Sequence, residues 1–140
     1  MPLCPTCNLK YPDDGHCPAC HSTIQAAAEK MKNEGVGDLP VVVGGDLVGM
    51  ITDRDIVVRV ISHGQNPADA KVVDGMTEGV VTCQEEDDIE TAAEKMASHQ
   101  IRRLAVKGAD GSLTGILSLG DLALHLNRDK VGNVLRQISQ

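Results

Sequence analysis

One residue pattern recurs in this chain of 140 residues and constrains its fold more than any other feature. The segment GMITDRDI at 49–56 is matched by GILSLGDL at 115–122. In each copy a glycine is followed three residues later by a hydroxyl residue, and the hydroxyl residue is followed three residues later by an aspartate. The repeated pairs are Thr52 with Asp55 and Ser118 with Asp121. This repetition predicts an internally duplicated fold in which each copy builds one structural unit.

The duplication extends to the N-terminal side of that phrase, where IQAAAEKM resembles IETAAEKM. Four apolar residues recur at i, i+3, i+4 and i+7 in both copies, which is the spacing of one apolar helix face. They are Ile24, Ala27, Ala28 and Met31 in the first copy and Ile89, Ala92, Ala93 and Met96 in the second. Two short β-rich runs and a second helical pattern follow each of these helices. The second copy also has VVTC, at 80–83, before its first helix. The sequence therefore predicts an α+β fold of β-α-β-β-α units, the first of which lacks its opening strand.

Two such units in tandem resemble a CBS domain pair, also called a Bateman module. The resemblance is carried by VGDLPVV and LVGMITDRDIVVR in the first copy, and by VDGMTEGVVTCQEEDDIETAAEKMASHQIRRLAV and LTGILSLGDLA in the second. Pro40 keeps a proline that the family usually has, whereas Ala105 replaces it in the second copy. We therefore expect four segments: a zinc-ribbon-like cysteine segment at 1–22, a first CBS domain at 23–71, a second CBS domain at 72–126 and a C-terminal helix at 127–140.

The hydroxyl–aspartate pairs have two interpretations. A hydroxyl followed three residues later by an acid, at the junction of a strand and a helix, is typical of a capping box that satisfies free N–H groups at the helix start. The same junction would also suit a nucleotide, because a helix start favours phosphate and a carboxylate can accept two hydrogen bonds from a ribose diol. The CBS resemblance favours the second interpretation, since in that family these residues hold the ribose of an adenine nucleotide.

The resemblance also implies which residues bind the nucleotide and that the two copies are unequal. VVTC would line one wall of the base slot, and nearby arginines would supply positive charge for the phosphates. In the first copy GHCPAC, at 15–20, stands where that wall would be, so we expect the first site to be the weaker one. The candidate residues are Thr82, Arg102, Arg103, Ser118 and Asp121 in the second copy and Thr52, Arg54 and Asp55 in the first. The expected ligand is an adenine nucleotide such as AMP, ADP or ATP.

Two C-x-x-C pairs near the start of the chain predict a metal site formed by Cys4, Cys7, Cys17 and Cys20. Four thiolates complete a tetrahedral shell that suits zinc, and iron in a rubredoxin-like site is the alternative. Rubredoxin-like sites are shielded by aromatic side chains, whereas this chain has only Tyr11, so zinc is favoured. Because cysteines fill all four positions, no water can be activated there and a structural site is expected.

The composition limits both the core and the range of partners. Net charge is −7, and the chain has one Tyr but no Phe or Trp. We therefore expect an aliphatic core and do not expect nucleic acid as a partner. No apolar run approaches the roughly 20 residues that span a bilayer, and no signal layout precedes the cysteines, so we expect a cytoplasmic protein without a membrane partner. The tail places Val131, Val134, Leu135 and Ile138 on one helical face, which suits a packing or dimerisation helix.

These observations predict a regulatory protein without enzymatic activity. A zinc-bound cysteine segment joined to a CBS pair would sense nucleotide or energy state, form a homodimer and signal to a protein partner. A rubredoxin-like iron protein that transfers electrons under the control of its CBS pair is the alternative. In a third interpretation the zinc segment docks a protein or nucleic-acid partner and the CBS pair is structural.

Overall fold

The duplication in the sequence appears in the computed structural model as two helix-and-sheet units, each with its own core. The structure describes residues 22–43 and 46–140. The described chain divides between Gly79 and Val80. The mixed α+β character is therefore confirmed, whereas the predicted metal-bound cysteine segment lies outside the described residues.

The first unit combines helices with a two-stranded antiparallel sheet. Its elements are α1 (Ile24–Glu34), β1 (Asp38–Val43), β2 (Asp46–Thr52), α2 (Asp53–Asp55), a π-helical continuation of α2 (Ile56–Ile61) and α3 (Val72–Gly75). Helix α1 begins where the Thr23 hydroxyl accepts the N–H of Ala26 at 3.1 Å. It ends at Glu34, and the capping residue Gly35 has a φ of 67°, in the left-handed region that favours glycine.

The second helix of the first unit changes its hydrogen-bond pattern along its length. Helix α2 passes without a break into the π-helical segment, in which the Ser62 N–H donates to the carbonyl of Val57 at 2.9 Å. This segment reads IVVRVI. Its β-branched residues are poor α-helix formers, because their χ1 angles are restricted against the preceding turn. The sequence pattern predicted a helix here but not its π-helical part.

Helix α1 buries a narrower face than the sequence predicted. Ile24, Ala27 and Met31 are buried, whereas Ala28 is exposed. The prediction for Ala28 was therefore wrong. Alanine has little apolar surface, so exposing it to solvent costs little free energy. The helical spacing alone therefore does not determine whether Ala28 is buried or exposed.

The segment at 72–76 packs into the first unit. Val72 and Met76 belong to the first core, and each is 6 % exposed. The sequence repeat placed this segment at the start of the second domain, at 72–126, whereas the packing boundary lies later, after Gly79. The end of the repeat in sequence and the end of the packed unit are therefore different positions.

The second unit combines a three-stranded mixed sheet with three helices. Its elements are β3 (Thr82–Gln84), α4 (Ile89–His99), β4 (Arg103–Lys107), β5 (Leu113–Ser118), α5 (Leu119–Ala123) and α6 (Arg128–Ile138). Strand β4 lies in the centre, parallel to β3 and antiparallel to β5. The strand expected at 80–83 is therefore present, displaced by two residues at its start.

The core of the second unit is aliphatic. Met96 and Leu104 are almost fully buried, and Cys83 is 3 % exposed, so burial raises the pKa of the Cys83 thiol. Helix α6 adds Val134 to this core, while Leu135 on the same helix stays 44 % exposed. The apolar face of α6 therefore serves packing within its own unit.

Gly49 in β2 lies where another part of the chain approaches the strand closely. A Cβ at Gly49 would lie 2.8 Å from the carbonyl oxygen of Thr77 and 3.0 Å from the sulfur of Met76. Two hydrogen bonds between Met50 and Thr77, of 2.8 and 2.9 Å, hold this approach. At its counterpart Gly115, no atom of the described chain lies within 4 Å of the Cβ position.

We expect Gly49→Ala to lower the free energy of unfolding by about 1–3 kcal/mol, because the backbone at Thr77 has to shift to admit a methyl group. Gly115→Ala is the matched control, and its effect should stay within about 0.5 kcal/mol. Urea denaturation followed by circular dichroism measures both changes. An equal loss of unfolding free energy in the two variants would show that crowding by Thr77 does not exclude a side chain at position 49.

Candidate functional site

In both units a strand ends at a hydroxyl residue and a helix begins at once. At the end of β5 the Ser118 Oγ accepts the N–H of Asp121 at 3.1 Å, while the Ser118 N–H and hydroxyl each donate to Asp121 Oδ2 at 2.9 Å. At the end of β2 the Thr52 Oγ1 accepts the N–H of Asp55 at 3.0 Å, and the Thr52 N–H donates to Asp55 Oδ2 at 2.9 Å. We call Thr52 with Asp55 the first clamp and Ser118 with Asp121 the second clamp.

The carboxylate of the second clamp keeps one oxygen available. Oδ2 of Asp121 receives the hydrogen bonds from Ser118, and Oδ1 accepts none from the part of the chain that the structure describes. Asp121 is exposed. Hydrogen bonds from the Ser118 backbone and hydroxyl hold the pKa of Asp121 below its usual range, with smaller contributions from Arg103 and His125. An exposed, ionised carboxylate with one available oxygen can accept hydrogen bonds from a ligand diol.

The first clamp is more enclosed. The Asp55 side chain is 15 % exposed, and its Oδ1 forms a long ion pair with Nε of Arg59 at 3.9 Å. Nη1 of Arg59 donates to the carbonyl oxygens of Gly75 at 3.2 Å and Met76 at 2.9 Å. His125 occupies the matching position in the second unit. Both carboxylate oxygens of the first clamp therefore already have partners within the unit.

The residue that faces the clamp hydroxyl across the hairpin is acidic in the first unit and basic in the second. Arg103 on β4 pairs with Ser118, whereas Asp38 on β1 pairs with Thr52. Directly opposed residues of an antiparallel pair place their side chains on the same sheet face. Arg103 therefore lies on the face of the second clamp. Asp38 lies on the face of the first, and the sequence reasoning missed it because the motif comparison did not include strand register.

Thr82 lies on the same sheet face as the second clamp. It pairs with Ala105 on β4, two residues after Arg103. Residues two apart on a strand share a face, so Thr82, Arg103 and Ser118 share one. Thr82 is half-buried, and its carbonyl accepts a hydrogen bond from Nζ of Lys95 at 2.9 Å. The structure thus places three candidate residues of the second unit together.

Arg54 and Arg102 are exposed, and the structure shows what their backbone groups do. The Arg54 N–H donates to Oδ1 of Asp53 at 2.8 Å. The Arg102 carbonyl accepts the N–H of Leu119, the first residue of α5, at 2.8 Å. Both backbone groups therefore help to fix the start of the helix that carries the clamp.

The described residues contain no candidate metal centre. No group of three or more His, Cys, Asp or Glu side chains in 22–43 and 46–140 could hold a metal ion. The predicted metal ligands lie outside these residues, and the zinc site therefore stays a prediction; they are Cys4, Cys7, Cys17 and Cys20. Among the helices that the structure describes, none has the length and apolar character needed to cross a membrane.

Known proteins share both the sequence and the duplicated architecture of this chain. The CBS domain family matches residues 19–62 and 70–128. The CBS domain-containing protein YhcV of Bacillus subtilis is 40 % identical over 120 residues, which cover 85 % of this chain and 84 % of YhcV. Hypoxic response protein 1 of Mycobacterium tuberculosis is 31 % identical over 123 residues, which cover 87 % of this chain and 85 % of that protein.

Three solved structures have the same fold. A CBS domain protein from Pyrobaculum aerophilum complexed with AMP has a TM-score of 0.68 at 25 % identity, covering 94 % of this chain and 95 % of its own. The CBS domain pair of protein MJ0100, in complex with 5′-methylthioadenosine and S-adenosyl-L-methionine, has a TM-score of 0.64 at 26 % identity, covering 75 % and 82 %. Hypoxic Response Protein I with two coordinated zinc ions has a TM-score of 0.68 at 31 % identity, covering 81 % and 92 %. The chain therefore belongs to the CBS-domain proteins and carries the CBS domain twice.

Proposed function

We propose that this CBS pair is a regulatory, non-enzymatic module that binds an adenine nucleotide at the second clamp and signals its occupancy to a protein partner. The proposal is carried by one observation: Asp121 has an available carboxylate oxygen at a junction whose sheet face also bears Arg103. The CBS proteins of similar structure that hold AMP or adenosyl compounds give it support.

The second clamp offers one group for each part of a nucleotide. Oδ1 of Asp121 would accept hydrogen bonds from the two ribose hydroxyls. The guanidinium of Arg103 would pair with a phosphate, for which its planar set of donors is suited. Half-buried Thr82 and Ile116 share the sheet face with Arg103. Adenine would bury apolar surface against them, so the absence of aromatic residues does not prevent base binding.

Capping and ligand binding are compatible in this geometry. The cap uses Oδ2 of Asp121, and the ligand would use Oδ1. The hydrogen bonds to Oδ2 hold the carboxylate in one orientation before a ligand arrives. Little side-chain entropy is then lost on binding, which favours affinity. The capping-box and nucleotide interpretations of the repeated pattern are therefore two uses of the same pair of residues, Ser118 and Asp121.

Asp121→Ala should lower the affinity for AMP on the order of tenfold to a hundredfold, or about 1.5–3 kcal/mol, because it removes a charged hydrogen-bond acceptor. Asp55→Ala is the matched control. It should lower affinity less, because Oδ1 of Asp55 is already engaged by Arg59. Isothermal titration calorimetry of both variants measures the difference.

Each of these substitutions also removes one side of a capping box. Each should therefore lower the free energy of unfolding by about 0.5–2 kcal/mol. A loss of stability in both variants together with unchanged affinity for AMP would contradict the proposed function. The hydroxyl–aspartate pairs would then be helix caps alone.

We propose further that the four N-terminal cysteines hold one structural zinc ion. Two C-x-x-C pairs supply a complete tetrahedral set of thiolates. Hypoxic Response Protein I, a CBS protein of similar structure, is described with two coordinated zinc ions. Four reduced thiolates suit a reducing compartment such as the cytoplasm. A rubredoxin-like iron site is the alternative and would assign the protein to electron transfer.

Elemental analysis of the purified protein should find about one zinc ion per chain. Cys17→Ser should release this ion, because three thiolates leave the shell incomplete. Cys83→Ser is the matched control and should retain it, because Cys83 is buried in the core of the second unit. Iron together with visible absorbance would favour the electron-transfer alternative, and a metal-free protein would exclude both metal sites.

We propose that the protein acts as a homodimer through its exposed apolar helix surface. This surface is formed by Val57, Val58 and Ile61 of the π-helical segment in the first unit, which are 58 %, 45 % and 50 % exposed. Clusters of exposed apolar residues mark interaction surfaces. Because Val134 of α6 is buried within its own unit, these residues suit dimerisation better than the C-terminal tail does.

Light scattering at micromolar concentration should give the mass of a dimer, and Val58→Asp should shift it to that of a monomer. An ionised carboxylate inside an apolar interface is costly, because it loses its hydration. Val36→Asp is the control, since Val36 is 42 % exposed but lies after α1 rather than in the π-helical segment. A monomer mass for the unaltered protein would contradict the proposal.

A further inference from the structure

Arg59 contacts the first clamp and a neighbouring part of the backbone at the same time. Its Nε lies 3.9 Å from Oδ1 of Asp55. Its Nη1 donates to the carbonyl oxygens of Gly75 at 3.2 Å and Met76 at 2.9 Å. One arginine can make these contacts together because its guanidinium carries several N–H donors in a rigid plane. A single side chain therefore ties the carboxylate of the first clamp to the backbone at 75–76.

The backbone at 75–77, which we call the connecting segment, leads from α3 towards the second unit. Thr77 exchanges two backbone hydrogen bonds with Met50, of 2.8 and 2.9 Å. Met50 belongs to β2, the strand that ends at the first clamp. Met76 is 6 % exposed and is part of the first core. The connecting segment is therefore held by the strand and the helix that build the first clamp.

The π-helical segment extends the clamp helix of the first unit far enough to carry Arg59. It runs over Ile56–Ile61, whereas α5 of the second unit ends at Ala123, before the matching residue His125. His125 is exposed. π-Helical turns are rare and are found mostly at functional sites. The helix of the first unit thus brings an arginine, absent from the matching position of the second unit, within reach of the clamp carboxylate.

The contact with Arg59 involves the oxygen that a ribose would use. Oδ2 of Asp55 accepts the Thr52 N–H of the cap at 2.9 Å, and Oδ1 faces the guanidinium. The Asp55 side chain is 15 % exposed. A ribose diol that donates to Oδ1 therefore has to compete with Arg59 for this oxygen. A residue of the clamp helix itself thus closes the first clamp.

We propose that Arg59 is a latch that closes the first clamp, and that the connecting segment controls this latch. The inference rests on the proposed function, because it takes the hydroxyl–aspartate clamp as a ribose site, and it extends that function to the regulation of the first clamp. In the closed state Arg59 binds Asp55 and the carbonyl oxygens at 75–76. In the open state a ribose holds Oδ1 of Asp55, and the connecting segment is held less tightly.

The coupling follows from the several contacts that one side chain makes. Each contact restricts the rotamers of Arg59, so losing the contact with Asp55 weakens the hydrogen bonds to the carbonyl oxygens, and the reverse also holds. Thermodynamic linkage makes the effect reciprocal: a ligand at the first clamp loosens the connecting segment, and a loosened segment raises the affinity for the ligand. Because a long ion pair contributes little free energy, the coupling should be on the order of threefold to tenfold.

The first test measures adenosine, an uncharged probe, by isothermal titration calorimetry in the Asp121→Ala protein, where only the first clamp is intact. At about pH 8, where an exposed histidine is neutral, adding Arg59→His should raise the affinity for adenosine about threefold to tenfold. Adding Arg59→Lys should raise it less, since an ammonium keeps the charge but lacks the planar set of donors. Arg136→His is the control, because it removes the same charge from an exposed position of α6, and it should leave the affinity unchanged.

The second test leaves the latch in place and disturbs the connecting segment. Thr77→Pro removes the N–H that donates to Met50 and alters no clamp residue. In the Asp121→Ala protein it should also raise the affinity for adenosine about threefold to tenfold. Without this substitution, saturating adenosine should speed the amide exchange of Met50 and Thr77, measured by NMR, by about the same factor. The amide of Ile24, which bonds elsewhere in the same unit, is the control and should exchange as before.

Absent or unchanged adenosine binding in the Arg59→His variant, with its fold verified by circular dichroism, would overturn the latch. If that variant does not fold, the exchange measurement decides, because it needs no change at Arg59. Unchanged affinity in Thr77→Pro together with unchanged exchange at Thr77 would overturn the control by the connecting segment. In each case, AMP binding by the Asp55→Ala protein would leave the proposed function standing. Failure of that protein and of the unaltered protein to bind AMP would overturn the proposed function and, with it, the inference.

Discussion

The reciprocal hydrogen bonds between a hydroxyl residue and the aspartate three residues later fix the geometry on which the rest of each unit depends. They end a strand, begin a helix and orient a carboxylate together. In the second clamp, the hydrogen bonds between Ser118 and Asp121 have lengths of 2.9–3.1 Å. Backbone N–H groups that would otherwise lack acceptors are satisfied by the cap. The orientation of the carboxylate is therefore set by the fold itself, and any ligand contact would use an arrangement that folding has already formed.

Much of the fold could be predicted from the sequence, because the duplication repeats periodic patterns that physics ties to helices and strands. The strand at Leu113–Ser118 and the caps at both clamps follow from local residue types. The π-helical segment Ile56–Ile61 did not follow, because a period near 3.6 does not distinguish hydrogen bonds to the fourth residue from those to the fifth. The position of Asp38 opposite Thr52 was also missed, because the register between two strands is not visible in the sequence of one strand.

The two copies differ in structure where the first unit receives the connecting chain. Gly49 leaves room for the carbonyl of Thr77, and Arg59 joins the Asp55 carboxylate to the carbonyl oxygens of Gly75 and Met76. The second unit has open space at Gly115 within the described residues and no arginine four residues after its aspartate. The same motif thus stabilises the connection in the first copy and leaves a carboxylate oxygen accessible in the second.

The aliphatic character of both cores also determines how the molecule interacts with light. The buried residues are aliphatic apart from methionine and one cysteine, and the chain as a whole has a single tyrosine and no tryptophan. Such a polypeptide absorbs very little in the near ultraviolet, whereas adenine absorbs strongly there. An adenine compound carried through purification would therefore dominate the ultraviolet spectrum of the protein. Its occupancy could be read directly from the ratio of absorbance to protein mass, without a label or a reporter group.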